Sequence, residues 1–299
     1  MSNRVFITGE AGSLASNLRR MLVYGDEYEV IPGNFGRKNI CTKWSREPEL
    51  DLLDLKNIEL LKERKPDIIF HLAGLVGTPR CEMDKLAAMQ SNVQATLNIA
   101  EAYIPGQLIV YFGTTVMHDT SARRPFTETT AIKPKTLYGL TKYMGEEILT
   151  MKIRPEDLLI IRPCFVYGGK YDHASVITSA IRAKLRGEER PFEIPLDTRY
   201  YKDYYYIDNF LSDLLLLIKN EARGVFNLAK GTPDPFGEVM QLLGDRGLLP
   251  SGYFLSPNKD YLGDHYIDDS KARSIIGPTD KVDLNKGIHL VMEELQNDR

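Results

Sequence analysis

The chain has 299 residues, 43% of them hydrophobic, enough for one large domain or two joined ones. Its formal net charge of −3 leaves no electrostatic footprint for nucleic acid, and its longest apolar run, 214–218, falls far short of the ~20 residues that span a bilayer. Cys41, Cys81 and Cys164 form neither a disulfide framework nor a CxxC pair and no apolar signal region opens the chain, so the expected setting is the reducing cytoplasm.

Val5-Phe6-Ile7-Thr8 is a buried strand that breaks at Gly9, and Leu14, Leu18, Met21 and Leu22 follow at helical spacing. Gly9 and Gly12 suit a turn whose backbone approaches a diphosphate, with the N–H groups and positive dipole end of the helix beyond it. Ala15 permits close packing of helix on strand. A plain strand-to-helix turn with no ligand has the same pattern. A second strand at 28–31 stops at Pro32-Gly33-Asn34, and a basic loop carries Arg37, Lys38, Lys43 and Arg46. Asp51-Leu52 leads into a helix over 58–64, and 66–74 is an apolar strand closing on Ala73-Gly74. A helix is expected over 89–103 with Val93, Leu97 and Ala100 on one face, then a strand at 108–112 closed by Gly113-Thr114-Thr115. A long helix over 137–151 and a strand at 158–161 follow. Repeated βα units with apolar strands imply a parallel sheet covered on both faces, with ligands at the Gly9, Gly74 and Thr114 turns.

Past Val166-Tyr167-Gly168 the pattern changes to a helix at 176–185, a tyrosine-rich segment at 200–206, a helix at 210–218, a strand at 224–228 and a loop-rich end. The expected fold is α/β: a Rossmann-type doubly wound parallel sheet with a smaller C-terminal α/β substrate-binding lobe. The dinucleotide-binding domain is expected over 1–167 with 204–230 returning to it, and the lobe over 168–203 and 231–299.

Tyr138-Gly139-Leu140-Thr141-Lys142 places a phenol and an ammonium on one helix face. A free tyrosine has a pKa of ~10, and a nearby ammonium lowers it, so the pair suits proton transfer at a hydroxyl or carbonyl oxygen while hydride moves at the carbon. Two ordinary surface residues would give the same spacing. Thr114 or Thr115, at a strand end, offers a hydroxyl to the same oxygen, or simply caps the next segment. The five histidines show no paired ligand spacing, so no metal is expected.

The chain resembles the extended short-chain dehydrogenase/reductases, the NAD-dependent epimerase/dehydratase family acting on nucleotide-activated sugars. The resemblance is carried by Thr8-Gly9-x-x-Gly12-x-x-Ala15, Asp51-Leu52, Asp67-Ile68-Ile69-Phe70-His71-Leu72-Ala73-Gly74 and Asn92. It continues through Thr114, Tyr138-x-x-x-Lys142, Arg162-Pro163-x-x-Val166-Tyr167-Gly168, Lys202-Asp203-Tyr204-Tyr205-Tyr206-Ile207-Asp208 and Asp269-Ser270-Lys271-Ala272. It implies that Gly9, Ala11, Gly12, Ser13 and Leu14 cradle the cofactor diphosphate and that Asp51 and Leu52 lie by the adenine. It further implies that Leu72, Ala73, Gly74 and Asn92 line the cofactor, that Lys142 holds the nicotinamide ribose, and that Pro163 and Cys164 flank the nicotinamide. Thr114, Tyr138 and Lys142 become the catalytic set, His71 a scaffold residue, and Val76, Thr115, His118, Phe165, Arg199 and Lys202 candidate substrate contacts. Members often form dimers through the helix bearing Tyr138; Leu140, Met144, Ile148 and Met151 suit that stripe or equally face the sheet.

Departures narrow the reaction. The acidic residue that holds the ribose hydroxyls in NAD-preferring members is replaced by Gly33-Asn34, with Arg37 and Lys38 beyond. That favours NADP, with NAD the alternative. Thr115-Val116 stands where dehydratases carry Asp-Glu, decarboxylases an acid, and reductases that also epimerise a cysteine. A 4-epimerase or a 4-keto reductase of a nucleotide sugar remains. Phe165 replaces a diphosphate-binding asparagine and Lys202 an arginine, which keeps open an NADPH-dependent reductase of a non-sugar carbonyl; an idle cofactor-binding regulatory protein is the rival outside the enzymes.

Overall fold

Strands that are apolar on both faces must be covered on both faces, and the order of elements in this chain meets that demand. The computed structural model describes residues 3–25, 27–32, 51–172, 175–187, 193–194, 200–249, 254–255 and 263–297. It runs β1 (Asn3–Thr8), α1 (Ser13–Tyr24), β2 (Tyr28–Ile31), α2 (Leu55–Arg64), β3 (Ile68–His71), α3 (Thr78–Met83), α4 (Lys85–Met89), α5 (Ala95–Ala102), β4 (Leu108–Phe112), α6 (Leu137–Lys152) and β5 (Leu158–Pro163). Then come β6 (Phe165–Tyr167), α7 (Val176–Leu185), β7 (Glu193–Ile194), β8 (Tyr201–Lys202), β9 (Tyr204–Tyr206), α8 (Ile207–Lys219) and β10 (Gly224–Leu228). The chain continues through β11 (Asp234–Pro235), α9 (Phe236–Asp245), β12 (Phe254–Leu255), α10 (Ser270–Ile276) and α11 (Leu284–Asn297). Six strands form one parallel sheet in the order β10-β5-β4-β3-β1-β2, as the Rossmann-type expectation requires. Ile69 pairs with both Phe6 and Ile109 across its centre.

Contacts divide the chain into two units, the first comprising 1–117, 132–162 and 221–226, the second 118–131, 163–220 and 227–299. The first unit packs Phe6, Ile69, Ile99, Ile109, Tyr111 and Leu149 into one fully buried cluster. Its α6 lies close on β4 because Gly145 has no side chain: a methyl there would overlap the Tyr111 hydroxyl, which donates to Lys142 O at 3.2 Å.

The helix expected over 89–103 begins earlier, with α4, and reaches α5 through a π-helical turn, Gln90–Gln94. Hydroxyls there bond back onto the helix, Ser91 Oγ to Ala87 O at 2.6 Å and Thr96 Oγ1 to Asn92 O at 2.7 Å. The face turned inward is Asn92, Ala95, Thr96 and Ile99, while Val93 and Leu97 are only half-buried. On α6 the inward face is Thr141, Lys142, Gly145, Glu146 and Leu149, and Leu140 and Met151 are exposed; Ile148 packs on the core.

In the second unit the tyrosine-rich segment is structural. Tyr204, Tyr205 and Tyr206 are buried, β9 pairs with β6, and the Tyr205 hydroxyl bonds Asp213 of α8, whose carboxylate also takes Arg273 of α10.

A single line of hydrogen bonds ties the strand ends of the first unit to α6. Thr8 Oγ1 accepts from Leu72 N at 3.0 Å and Ala73 N at 2.9 Å. Its own proton is thereby left for His71 Nδ1, 2.9 Å away. The imidazole must then be neutral with its proton on Nε2, which donates to Thr96 Oγ1 at 2.9 Å. Burial, then the charge of Lys142, holds His71 down to about 3, which agrees. Asn92 Nδ2 continues the line to Thr141 Oγ1 at 2.9 Å, and Thr141 donates to Tyr138 O at 3.0 Å.

Thr8→Val keeps the side-chain shape but strands two N–H donors and the imidazole. Urea unfolding should show a loss of about 3 kcal/mol at unchanged m; a loss under about 1 kcal/mol would mean that the hydroxyl does not organise these strand ends.

Candidate functional site

The turn after β1 has the shape of a phosphate cradle. Gly9 sits at φ +71° with an added Cβ only 2.8 Å from Ala73 N and Cα, so no larger residue fits beside the exit of β3. Gly12 N donates to Gly9 O at 2.9 Å and caps α1 with no side-chain hydrogen bond and no acidic residue in the first turn. Ala11, Ser13 and Leu14 complete the turn, and Ala15 is buried against the sheet. A helix start facing an open glycine turn fits the diphosphate of a dinucleotide.

Leu72, Ala73, Gly74 and Asn92 gather at the same carboxyl edge. Asn92 pins the loop after Leu72-Ala73-Gly74, accepting from Leu75 N at 2.6 Å and donating to Leu75 O at 3.0 Å. A Cβ on Gly74 would lie 2.7 Å from Asn92 Oδ1, so the loop passes over the amide only as glycine. Asp51 uses its carboxylate on its own turn, accepting from Leu53 N at 2.9 Å, and Leu52 is buried with its carbonyl accepting from Asn98 Nδ2 at 2.7 Å. Asn34, Arg37 and Lys38 lie outside the described residues.

Thr114 stands just past β4, buried, its hydroxyl accepting from Val116 N at 3.3 Å and lying beside the phenol of Tyr138 in the first turn of α6. Thr136 caps that helix, accepting from Gly139 N at 3.1 Å. Lys142, one turn on, is buried with Nζ 4.3 Å from the centre of the Tyr111 ring. Thr115 is buried in the 3-10 turn Thr115–Met117, and Val76 is 45% exposed, open to a ligand.

The expectation that the ammonium lowers the phenol's pKa is corrected here. Burial pushes Tyr138 up to about 12, opposed by the Thr114 hydroxyl. Burial also brings Lys142 down to about 8, opposed by Glu146 and by Cys81. Desolvation outweighs charge attraction, and the ammonium lies over the Tyr111 face. Tyr138 is therefore a protonated donor in this structure.

The second unit holds the remaining residues. Pro163 is half-buried; Cys164 is buried, its N donates to Leu228 O at 3.2 Å, and burial and the Asp203 carboxylate push its thiol up. Phe165 and Lys202 touch, Nζ 4.0 Å from the ring centre, and burial brings the amine down to about 7 against the pull of Asp264. His118 is buried, stacked on Phe126 at 5.1 Å. Arg199 lies outside the described residues. Sequence reasoning missed His265, which pairs with Lys202 in an isolated bridge and sets its ring edge-on to Phe165 at 5.4 Å. It also missed Thr8, Thr141 and Glu146, whose partners are distant in the chain. Among the described residues no group of His, Cys, Asp or Glu is arranged to hold a metal ion, and no helix is long and apolar enough to cross a membrane.

The model of the NAD dependent epimerase/dehydratase family matches residues 5–229. A UDP-glucose 4-epimerase of Mycolicibacterium smegmatis is 27% identical over 98% of this chain and 99% of its own. Two solved structures share the fold at a TM-score of 0.82. One is MoeE5 in complex with UDP-glucuronic acid and NAD, 25% identical over 99% of this chain and 100% of its own. The other is RMD from Pseudomonas aeruginosa complexed with NADPH, 19% identical over the full length of both. With the glycine cradle, the strand-end turns and the Thr114, Tyr138 and Lys142 cluster on one carboxyl edge, the chain belongs to the NAD-dependent epimerase/dehydratase family of extended short-chain dehydrogenase/reductases.

Proposed function

We propose that the protein is an NADP-dependent 4-keto reductase or 4-epimerase of a nucleotide-diphosphate sugar. The observation that carries this reading is the placing of the buried Thr114 side chain beside the phenol of Tyr138, one helical turn from the buried Lys142. When bound, the nicotinamide gives or takes the hydride at the sugar carbon. Tyr138, held protonated by burial, donates its proton to the sugar oxygen as the carbonyl is reduced. Thr114 shares that oxygen and steadies the charge developing on it. Lys142 holds the nicotinamide ribose. In the oxidative direction the same groups run in reverse.

The sugar substrate is supported by the relatives, which include an enzyme named for UDP-glucose and one solved with UDP-glucuronic acid. Thr115-Val116, which puts no carboxylate in the two positions after Thr114, supports simple hydride chemistry over dehydration. In the second unit we assign Lys202, Phe165 and His118 to the substrate. We further propose a homodimer through the helix surface that exposes Leu140 and Met151 on α6 and Met83 and Leu86 on α3 and α4.

Tyr138→Phe should lower turnover of UDP-galactose or of a 4-keto nucleotide sugar by about 10²-fold or more while dinucleotide binding is kept; an equally active variant sinks the mechanism. NADPH should bind about tenfold more tightly than NADH, and Arg37→Ala with Lys38→Ala should erase the difference. NAD retained in equal amount after denaturation would instead identify an epimerase that returns its hydride to the same substrate. In analytical ultracentrifugation the protein should sediment as a dimer and Leu140→Glu as a monomer; a monomeric parent removes the dimer.

A further inference from the structure

The catalytic face of α6 does not end at Lys142. Tyr138, Lys142 and Glu146 follow at four-residue spacing, so the carboxylate lies one turn beyond the ammonium on the same face. Glu146 is 3% exposed and its partner Arg162, on β5, 6%. The pair is two-pronged: Arg162 Nη2 is 2.7 Å from Oε2, and Nε is 3.2 Å from both carboxylate oxygens. The carboxylate also rests against Gly113, the residue before Thr114, where a methyl group would overlap Oε1. One buried anion thus abuts the backbone that carries Thr114 and the helix that carries Lys142.

We infer that Glu146, held in place by Arg162, is a positioning residue that keeps Lys142 charged and seated beneath Tyr138. The inference rests on the role proposed for Lys142. A buried ion pair is weak support for stability, because desolvation offsets most of its attraction. Its function must then lie in what the carboxylate does to its neighbours.

Among the described residues the groups around the ammonium are few: Glu146 on α6, where Tyr138 stands one turn before Lys142, Cys81 on α3, His71 on β3 and Tyr111 on β4. Burial and Glu82 push the Cys81 thiol up to about 11, burial keeps Tyr111 well above its ordinary value and Tyr138 at about 12, and His71 is neutral. At neutral pH the Glu146 carboxylate is therefore the anion among these groups. Burial raises its own pKa and the Arg162 contact opposes that rise. Against burial, which drives Lys142 toward its neutral form, Glu146 is the largest opposing influence. With the carboxylate neutralised, burial acts on Lys142 with little to oppose it. The lysine then loses its proton at lower pH.

The test measures NADH and NADPH binding by fluorescence from pH 6 to 9.5 for the full chain and for Lys142→Met, Glu146→Gln and the double variant Glu146→Met with Arg162→Met. The parent should bind more weakly as pH rises through about 8, where Lys142 loses its charge, and Lys142→Met should be flat across that range. Glu146→Gln should move the midpoint down by about one unit or more. The double variant leaves no unpaired buried charge, so it guards against a single variant that fails to fold, and it should show the same shift. A parental midpoint in both Glu146 variants, with binding weakened uniformly, would make the pair merely structural and overturn the inference. If the parent binds neither nucleotide, or Lys142→Met keeps the parental pH dependence, the proposed role of Lys142 falls and the inference with it.

Discussion

One threonine oxygen governs the carboxyl edge of the sheet. Parallel strands end with N–H groups that the next turn must satisfy, and at β3 two of them converge on Thr8 Oγ1. Both lone pairs are then engaged, which directs the hydroxyl proton to His71 and fixes the imidazole as a neutral relay. From there each donor has one acceptor and the line runs without a branch point through Thr96 to the Asn92 carbonyl. The Asn92 amide carries it on to Thr141 and the first turn of α6. The glycine cradle beside Ala73 and the helix turn bearing Tyr138 are consequently parts of one rigid assembly. A buried histidine that would be costly as a charged group is inexpensive here because its neutral form is the one the network requires.

Burial does the chemical tuning. Removing water from a phenol and an ammonium moves both toward their neutral forms, Tyr138 up to about 12 and Lys142 down to about 8. A tyrosine so placed keeps its proton until an acceptor oxygen with developing negative charge is close, a state suited to donation in a reductive step. The lysine, by contrast, titrates near neutrality, so the groups that keep it charged matter more than they would for an exposed lysine.

What the sequence made legible were features with short range. The glycine turn, the apolar strands, the strand-end threonines and the Tyr138–Lys142 spacing each lie within a few residues, and backbone geometry translates them directly. The Thr8 relay joins residues 63 apart and the Lys202–His265 bridge joins residues equally distant, so neither leaves a local pattern. Lys142 and Glu146 read along the chain as an ordinary i,i+4 pair on a solvated helix face; it is their depth that lets the carboxylate, paired with Arg162, bear on the charge of the ammonium. Depth also overturned the expected sign at Tyr138, because spacing reports proximity to a charge and says nothing of the water that was lost. The π turn was hidden for another reason. Side-chain hydroxyls at Ser91 and Thr96 bond to carbonyls of the preceding turn and go with a helix period no uniform pattern anticipates.

The second unit extends the same logic to the departures from family pattern. A guanidinium remains charged at any ordinary pH and grips a diphosphate with two parallel donors. Lys202 is a point charge laid on the Phe165 ring, and burial brings it to about 7. The two side chains therefore form one feature: the Phe165 ring supplies the face on which the Lys202 cation rests. His118 on Phe126, and His265 edge-on to both Phe126 and Phe165, continue that aromatic and basic surround. A contact made by an amine that burial brings to about 7 differs in kind from one made by a permanent charge.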